Sequence, residues 1–158
     1  MLEPLVKITE LFKVNHISYC LIGGLATLLH HGRANTVDMD FYVLVQSLKT
    51  VKSLFEKQGF TVQNLGDDQL RAKIGSVPLD ILLADAYVGV TVVKRSAPKK
   101  LGKNTVQVAT PEDLIILKTL ADRSIDRRDV EELRELFGES LDEKYIEKTL
   151  KKVRKLLS

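Results

Sequence analysis

Residues 3–14 place Leu5, Ile8, Leu11 and Phe12 at intervals of three and four, the spacing of an amphipathic helix. The short apolar run Tyr19–Ile22 ends in Gly23-Gly24 and reads as a buried strand. Leu25 to Leu29 predicts a helix that stops near Gly32. From Val37 to Val45 the pattern alternates, with Val37, Met39, Phe41 and Val43 on one face and Asp38, Asp40 and Tyr42 on the other. Leu48 to Lys57 is again amphipathic and is closed by Gly59. Phe60 to Val62 predicts a short strand and Gly66-Asp67-Asp68 a turn. Leu70–Ile74 and Val77–Leu83 predict a hairpin joined through Gly75-Ser76. Residues 86–107 carry no clear period: Ser96 to Asn104 reads as a basic loop, and Thr105 to Val108 as one more strand.

The last third is helical. Thr110-Pro-Glu-Asp offers a cap residue, a proline at the first helical position and acids in the first turn, opening a helix over Leu114–Leu120. Further helices are expected over about Asp126–Phe137 and Leu141–Leu156. The order of elements predicts an α/β or α+β sandwich, a mixed sheet flanked by helices with a helical carboxyl end. No clean linker divides the chain, so 1–158 is expected to be one domain, with an α/β core over about 1–108 and a helical part over about 110–158.

At 158 residues, 44% hydrophobic and 28% charged, the chain has the composition of a globular protein able to bury a core without disulfides. Its one cysteine, Cys20, lies in an apolar run and reads as a small buried hydrophobe. The amino terminus lacks the apolar core of a signal peptide, and no apolar stretch approaches the roughly 20 residues that span a bilayer. A cytoplasmic location without membrane contact is the default expectation. A net charge of +3 does not by itself argue for nucleic acid. The charge is unevenly placed, however: from Lys144 to Lys155 six basic residues face one acid, Glu147. That run is either the solvated face of a terminal helix or a face that meets a polyanion.

Three local features carry chemistry. A strand ending in Gly23-Gly24 and feeding a helix lets backbone approach an anion near free N–H groups, although a tight turn uses the same residues. Asp38 and Asp40, two apart on a strand, point the same way roughly 7 Å apart. Such a pair is either a solvent-facing edge or the seat of a hard divalent cation. Asp80 interrupts the apolar run Val77–Leu83, where a charge sits at an edge or is paired. If its strand lies beside that of Asp38 and Asp40, the three carboxylates form one cluster.

Ile22-Gly-Gly24, a thirteen-residue spacer, Asp38-Met-Asp40-Phe and the later Leu79-Asp-Ile81 together resemble the signature of the polymerase β-type nucleotidyltransferase superfamily. Gly32-Arg-Ala-Asn-Thr-Val-Asp-Met-Asp40, Thr110 to Lys118 and Arg127-Arg-Asp-Val-Glu131 are similar to strings of the AbiE-type toxin nucleotidyltransferases and their small relatives. The resemblance covers about residues 15–135, and where its familiar form has Ser this chain has Gly24. It implies a nucleotidyltransferase fold and transfer of an NMP group from an NTP, with Mg²⁺ or Mn²⁺ held by Asp38, Asp40 and Asp80. Asp80 would also help deprotonate an incoming hydroxyl. It further implies that Gly23 and Gly24 hold the phosphates and that Lys118, Arg33 and Thr36 contact the nucleotide. An exposed helical lysine is the other reading of Lys118. The acceptor stays open among RNA, protein and a small molecule, and an antitoxin-like partner is implied by the toxin likeness. A non-catalytic module binding nucleotide, RNA or protein on the same fold is the rival reading. The adjacent His30-His31 diverge on a helix and read as a helix terminus rather than a metal site.

Overall fold

The computed structural model describes residues 2–31, 38–85 and 87–158. Helix α1 (Glu3–Val14) leads into β1 (Ser18–Ile22), α2 (Gly23–His30), β2 (Met39–Leu44) and α3 (Leu48–Lys57). Then follow β3 (Thr61–Asn64), β4 (Gln69–Ile74), β5 (Val77–Leu83), α4 (Gly89–Arg95), β6 (Ala97–Leu101) and β7 (Asn104–Val108). Three helices close the chain: α5 (Pro111–Ala121), α6 (Ser124–Phe137) and α7 (Glu143–Leu157). The seven strands form one sheet in the order β3-β4-β5-β2-β1-β7-β6. The pairs β2–β5 and β1–β7 are parallel and the others antiparallel, giving the mixed sheet expected from the pattern.

Alternation in β2 decides which face is core. Met39, Phe41 and Val43 are fully buried, and Phe41 packs edge-on against Phe12 of α1, with Phe55 of α3 beyond it. Burial of such rings supplies the main driving force, about 1.5–3 kcal/mol per side chain. Asp40, between them in sequence, necessarily projects from the opposite face and meets the start of α2.

Helix α5 begins as its sequence requires: the Thr110 hydroxyl accepts from the Asp113 N–H, and Pro111 occupies the first turn. Asp113 itself is buried. Its carboxylate accepts from Arg95 Nε at 3.2 Å and from the Tyr145 hydroxyl at 2.6 Å, while the guanidinium lies 3.7 Å over the Tyr145 ring. One carboxylate thereby ties α4, α5 and α7 together.

One expectation needs correction, and one unassigned stretch gains an element. Ser96 to Asn104 is not a loop: Ala97–Leu101 is a strand paired with β7 across a turn at Gly102. It is the sheet's edge, where Pro98 sacrifices no ladder bond and exposed lysine discourages further pairing. Within the segment left without a period, α4 is a helix despite Val90, Thr91, Val92 and Val93. Its first turn is organised by Asp85, whose Oδ1 accepts from the N–H groups of Tyr87, Val88 and Gly89. Burial of Val92 and Val93 then outweighs their preference for strands. Smaller shifts occur at β3, which runs later than Phe60–Val62, and at α2, which includes both glycines. Val37 and the stop near Gly32 lie outside the described residues. Among those described, no helix is long and apolar enough to cross a membrane.

Candidate active site

Backbone register assembles the site. In β1–β2 Ile22 lies opposite Asp40, and in the parallel pair β2–β5 Asp40 lies beside Asp80. The adjacency that could not be read from sequence is therefore a matter of strand pairing. Gly23 follows at the end of β1, with φ +73°, and an added Cβ there would stand 2.5 Å from Asp40 Oδ2. Glycine is required on two counts, a left-handed backbone and the close approach of a carboxylate. Gly24 has neither constraint; it lines the cleft at the start of α2, where no side chain caps the helix.

The cleft has a volume of about 430 Å³. Asp38, Asp40 and Asp80 line it together with Lys118 from α5 and Arg123, Asp126 and Asp129. Asp38 is exposed and stands just ahead of β2. Burial pushes the Asp40 carboxyl up to about 6, and the charges of Asp80 and Asp38 push the same way against Lys118 and Arg123. The donors are hard oxygens and one of them is destabilised when charged, a chemistry that suits a divalent cation. The three do not yet form a cage: among the described residues no three His, Cys, Asp or Glu side chains are gathered closely enough to hold a metal. Asp80 is instead engaged by Arg71 of β4, whose Nε donates to Oδ1 at 3.0 Å.

Lys118 is 7% exposed, so the reading of an exposed helical lysine is corrected. Its ammonium donates to Asp129 Oδ2 at 2.7 Å, across from α6. Arg123 and Asp126 form the start of α6: the guanidinium and the backbone N–H of Arg123 both reach the Asp126 carboxylate. Those bonds hold Asp126 below its usual carboxylate range. His30 Nε2 meets the Ala109 carbonyl at 2.8 Å and His31 turns toward Glu132, so the two rings diverge as neighbours on a helix end should. Arg33 and Thr36 lie outside the described residues.

Arg71, Arg123 and Asp126 were not anticipated. For Arg71 a signal existed: in a hairpin turning at Gly75-Ser76, counting back from the Ile74–Val77 pair puts Arg71 opposite Asp80.

A family model described as "Nucleotidyl transferase of unknown function (DUF2204)" matches residues 1–156. The chain belongs to this family. This DUF2204 nucleotidyl transferase shares its fold with several solved structures. The lincosamide antibiotic adenylyltransferase LnuA, lincomycin-bound, is 17% identical, with a TM-score of 0.69 over 86% of this chain and 98% of its own. ANT(2'')-Ia in complex with adenylyl-2''-tobramycin is 20% identical, with a TM-score of 0.69 over 98% and 97%. An antigenic nucleotidyltransferase-like protein from Paracoccidioides brasiliensis is 18% identical, with a TM-score of 0.63 over 99% and 86%. Likeness at this level of identity establishes the nucleotidyltransferase fold. No curated protein sequence matches the chain.

Proposed function

We propose that the protein is an active, metal-dependent nucleotidyl transferase that moves an NMP group from an NTP to a hydroxyl acceptor, with residues 1–158 working as one catalytic unit in the cytoplasm. The observation that carries this reading is the placement of Asp40 and Asp80 at one register position on neighbouring strands, with Asp40 packed so close to Gly23 that a Cβ there would collide with its carboxylate. Asp38, Asp40 and Asp80 would hold Mg²⁺ or Mn²⁺. When bound, the ion neutralises triphosphate charge that these aspartates would otherwise repel.

The chain's own residues do the rest. Asp80 exchanges its bond to Arg71 for a role at the reacting centre and accepts the proton of the acceptor hydroxyl. The oxygen so exposed forms a bond to the α-phosphorus, the bond to the bridging oxygen breaks, and pyrophosphate leaves. Gly23 and Gly24 bring the open start of α2 to the phosphates, where its N–H groups donate. Lys118 turns from Asp129 toward the triphosphate, and its burial limits how far it strays. Arg33 and Thr36 add contacts to the nucleotide. Positioning and charge neutralisation supply most of the rate in such transfers.

The test is incubation with α-³²P-labelled NTPs, Mg²⁺ and cell extract, followed by separation of RNA, protein and small molecules. Label in one fraction with wild type and not with Asp40→Asn identifies the acceptor class. LnuA and ANT(2'')-Ia favour a small molecule, whereas the AbiE-like strings favour RNA or protein and an antitoxin-like partner. Metal-dependent NTP binding without pyrophosphate release in any fraction would establish the non-catalytic module instead.

A further inference from the structure

The basic run at the carboxyl end is a straight line of charge. Lys144, Lys148, Lys151 and Lys155 lie at i, i+4, i+7 and i+11 of α7, hence on one face of the helix, and all four are exposed. Ile146 and Val153 are buried on the opposite face. With a rise of about 1.5 Å per residue the four ammonium stems stand roughly 4.5–6 Å apart along about 16 Å of helix. Lys152 and Arg154 flank the line, and Glu147 is the one acid beside it. Glu143, at the helix start, is taken by Arg134. Among the described residues none of the four lysines has an acidic partner. Like charges so spaced repel one another and gain nothing from the fold.

We propose that this face of α7 binds one strand of nucleic acid through its phosphates, independently of the cleft. Evenly spaced point charges along a helix complement evenly spaced phosphates. The absence of aromatic side chains in the line means that it reads backbone and not bases. A bilayer is disfavoured because the line holds no apolar side chain to insert: Leu156 and Leu157, though exposed, fall off this face. An acidic protein surface would offer no such regular repeat.

The test is fluorescence anisotropy with a labelled oligouridylate, and with mixed-sequence oligonucleotides as controls, across a salt series. Four phosphate contacts on a single strand predict a log–log salt slope of about −3, a loss of about 50-fold in affinity from 50 to 200 mM salt. Lys144→Gln, Lys148→Gln, Lys151→Gln and Lys155→Gln together should cost at least tenfold at low salt and flatten the slope. The exposed Lys13, Lys49, Lys57 and Lys103 provide the control, because changing these four to Gln removes the same charge from a chain of net charge +3. That control should bind nearly as wild type, and circular dichroism should show both variants folded. Equal loss in the two sets would overturn the proposal in favour of general electrostatic attraction. So would a shallow salt slope in wild type, or binding to anionic phosphatidylserine vesicles but not to oligonucleotide.

Discussion

Gly23 and Gly24 are adjacent, chemically identical and expected to respond oppositely to the same substitution. At Gly23, φ is +73° and an added Cβ would sit 2.5 Å from Asp40 Oδ2 and 3.2 Å from Asp40 Cβ. The left-handed backbone alone costs a side chain roughly 1–2 kcal/mol, and displacing a partly buried carboxylate adds to it. Gly23→Ala should therefore lose about 2–3 kcal/mol, which for a chain of this size lowers Tm by about 5–10 °C. At Gly24 the φ is ordinary and nothing lies within 4 Å of an added Cβ. Gly24→Ala should leave stability within about 0.5 kcal/mol of wild type or raise it slightly, since alanine suits a helix better. Thermal melts of the three proteins, with EDTA and with Mg²⁺, read both effects. In Gly23→Ala the shifted Asp40 should also blunt the Mg²⁺-induced rise in Tm, which Gly24→Ala should retain. A Gly23→Ala protein melting within a degree of wild type, or a Gly24→Ala protein falling as far, would refute this account of the turn.

Asp40, raised from 3.8 to about 6, keeps a proton in the folded state that the unfolded chain has already lost. Its contribution to stability is greatest below pH 3.8 and is lost as pH rises through 6, by on the order of 2–3 kcal/mol. Urea midpoints with chelator present should show Asp40→Asn gaining on wild type between pH 4 and pH 7.5; parallel curves would contradict this. Lys118→Ala strands the Asp129 carboxylate and should cost on the order of 3 kcal/mol. Lys118→Ala with Asp129→Ala should cost less than Lys118→Ala alone, as a double-mutant cycle measures, and NTP affinity is best compared in the Asp129→Ala background. Tyr145→Phe removes the 2.6 Å bond to buried Asp113, and should lower unfolding free energy by about 1–3 kcal/mol in urea titration without altering the metal response.

Where sequence alone succeeded, local chemistry and tertiary packing agreed. The Thr110-Pro111 start of α5, the alternation in β2 and the hairpin about Gly75-Ser76 all have short-range causes, and all three are present. Helix α4 failed that test because Val90 to Val93 favour strands locally and are held helical by Asp85 and by burial, neither of which is a periodicity. Strand β6 was hidden by lysines and a proline that mark an edge as readily as a loop. At the site, carboxylates were conspicuous because they interrupt apolar runs. Their partners were not: Arg71 reaches Asp80 through register, and Lys118 and Asp129 meet only because α5 and α6 pack together.

The parallel pairing of β2 with β5 has a consequence for how such a protein can diversify. Asp40 and Asp80 are held side by side by backbone bonds, so their spacing is indifferent to the length of chain between them. Helix α3, strand β3 and the bend at Gly66–Asp68 lie wholly within that interval. Extra residues inserted at the bend would lengthen an exposed excursion at little entropic cost and leave the carboxylates where they are. A single residue added or deleted inside β5 is another matter, because it would turn Asp80 to the aromatic core and bring Leu79 or Ile81 to the cleft. Chain length can therefore change at the bend without disturbing the carboxylates, while β5 admits no change in count.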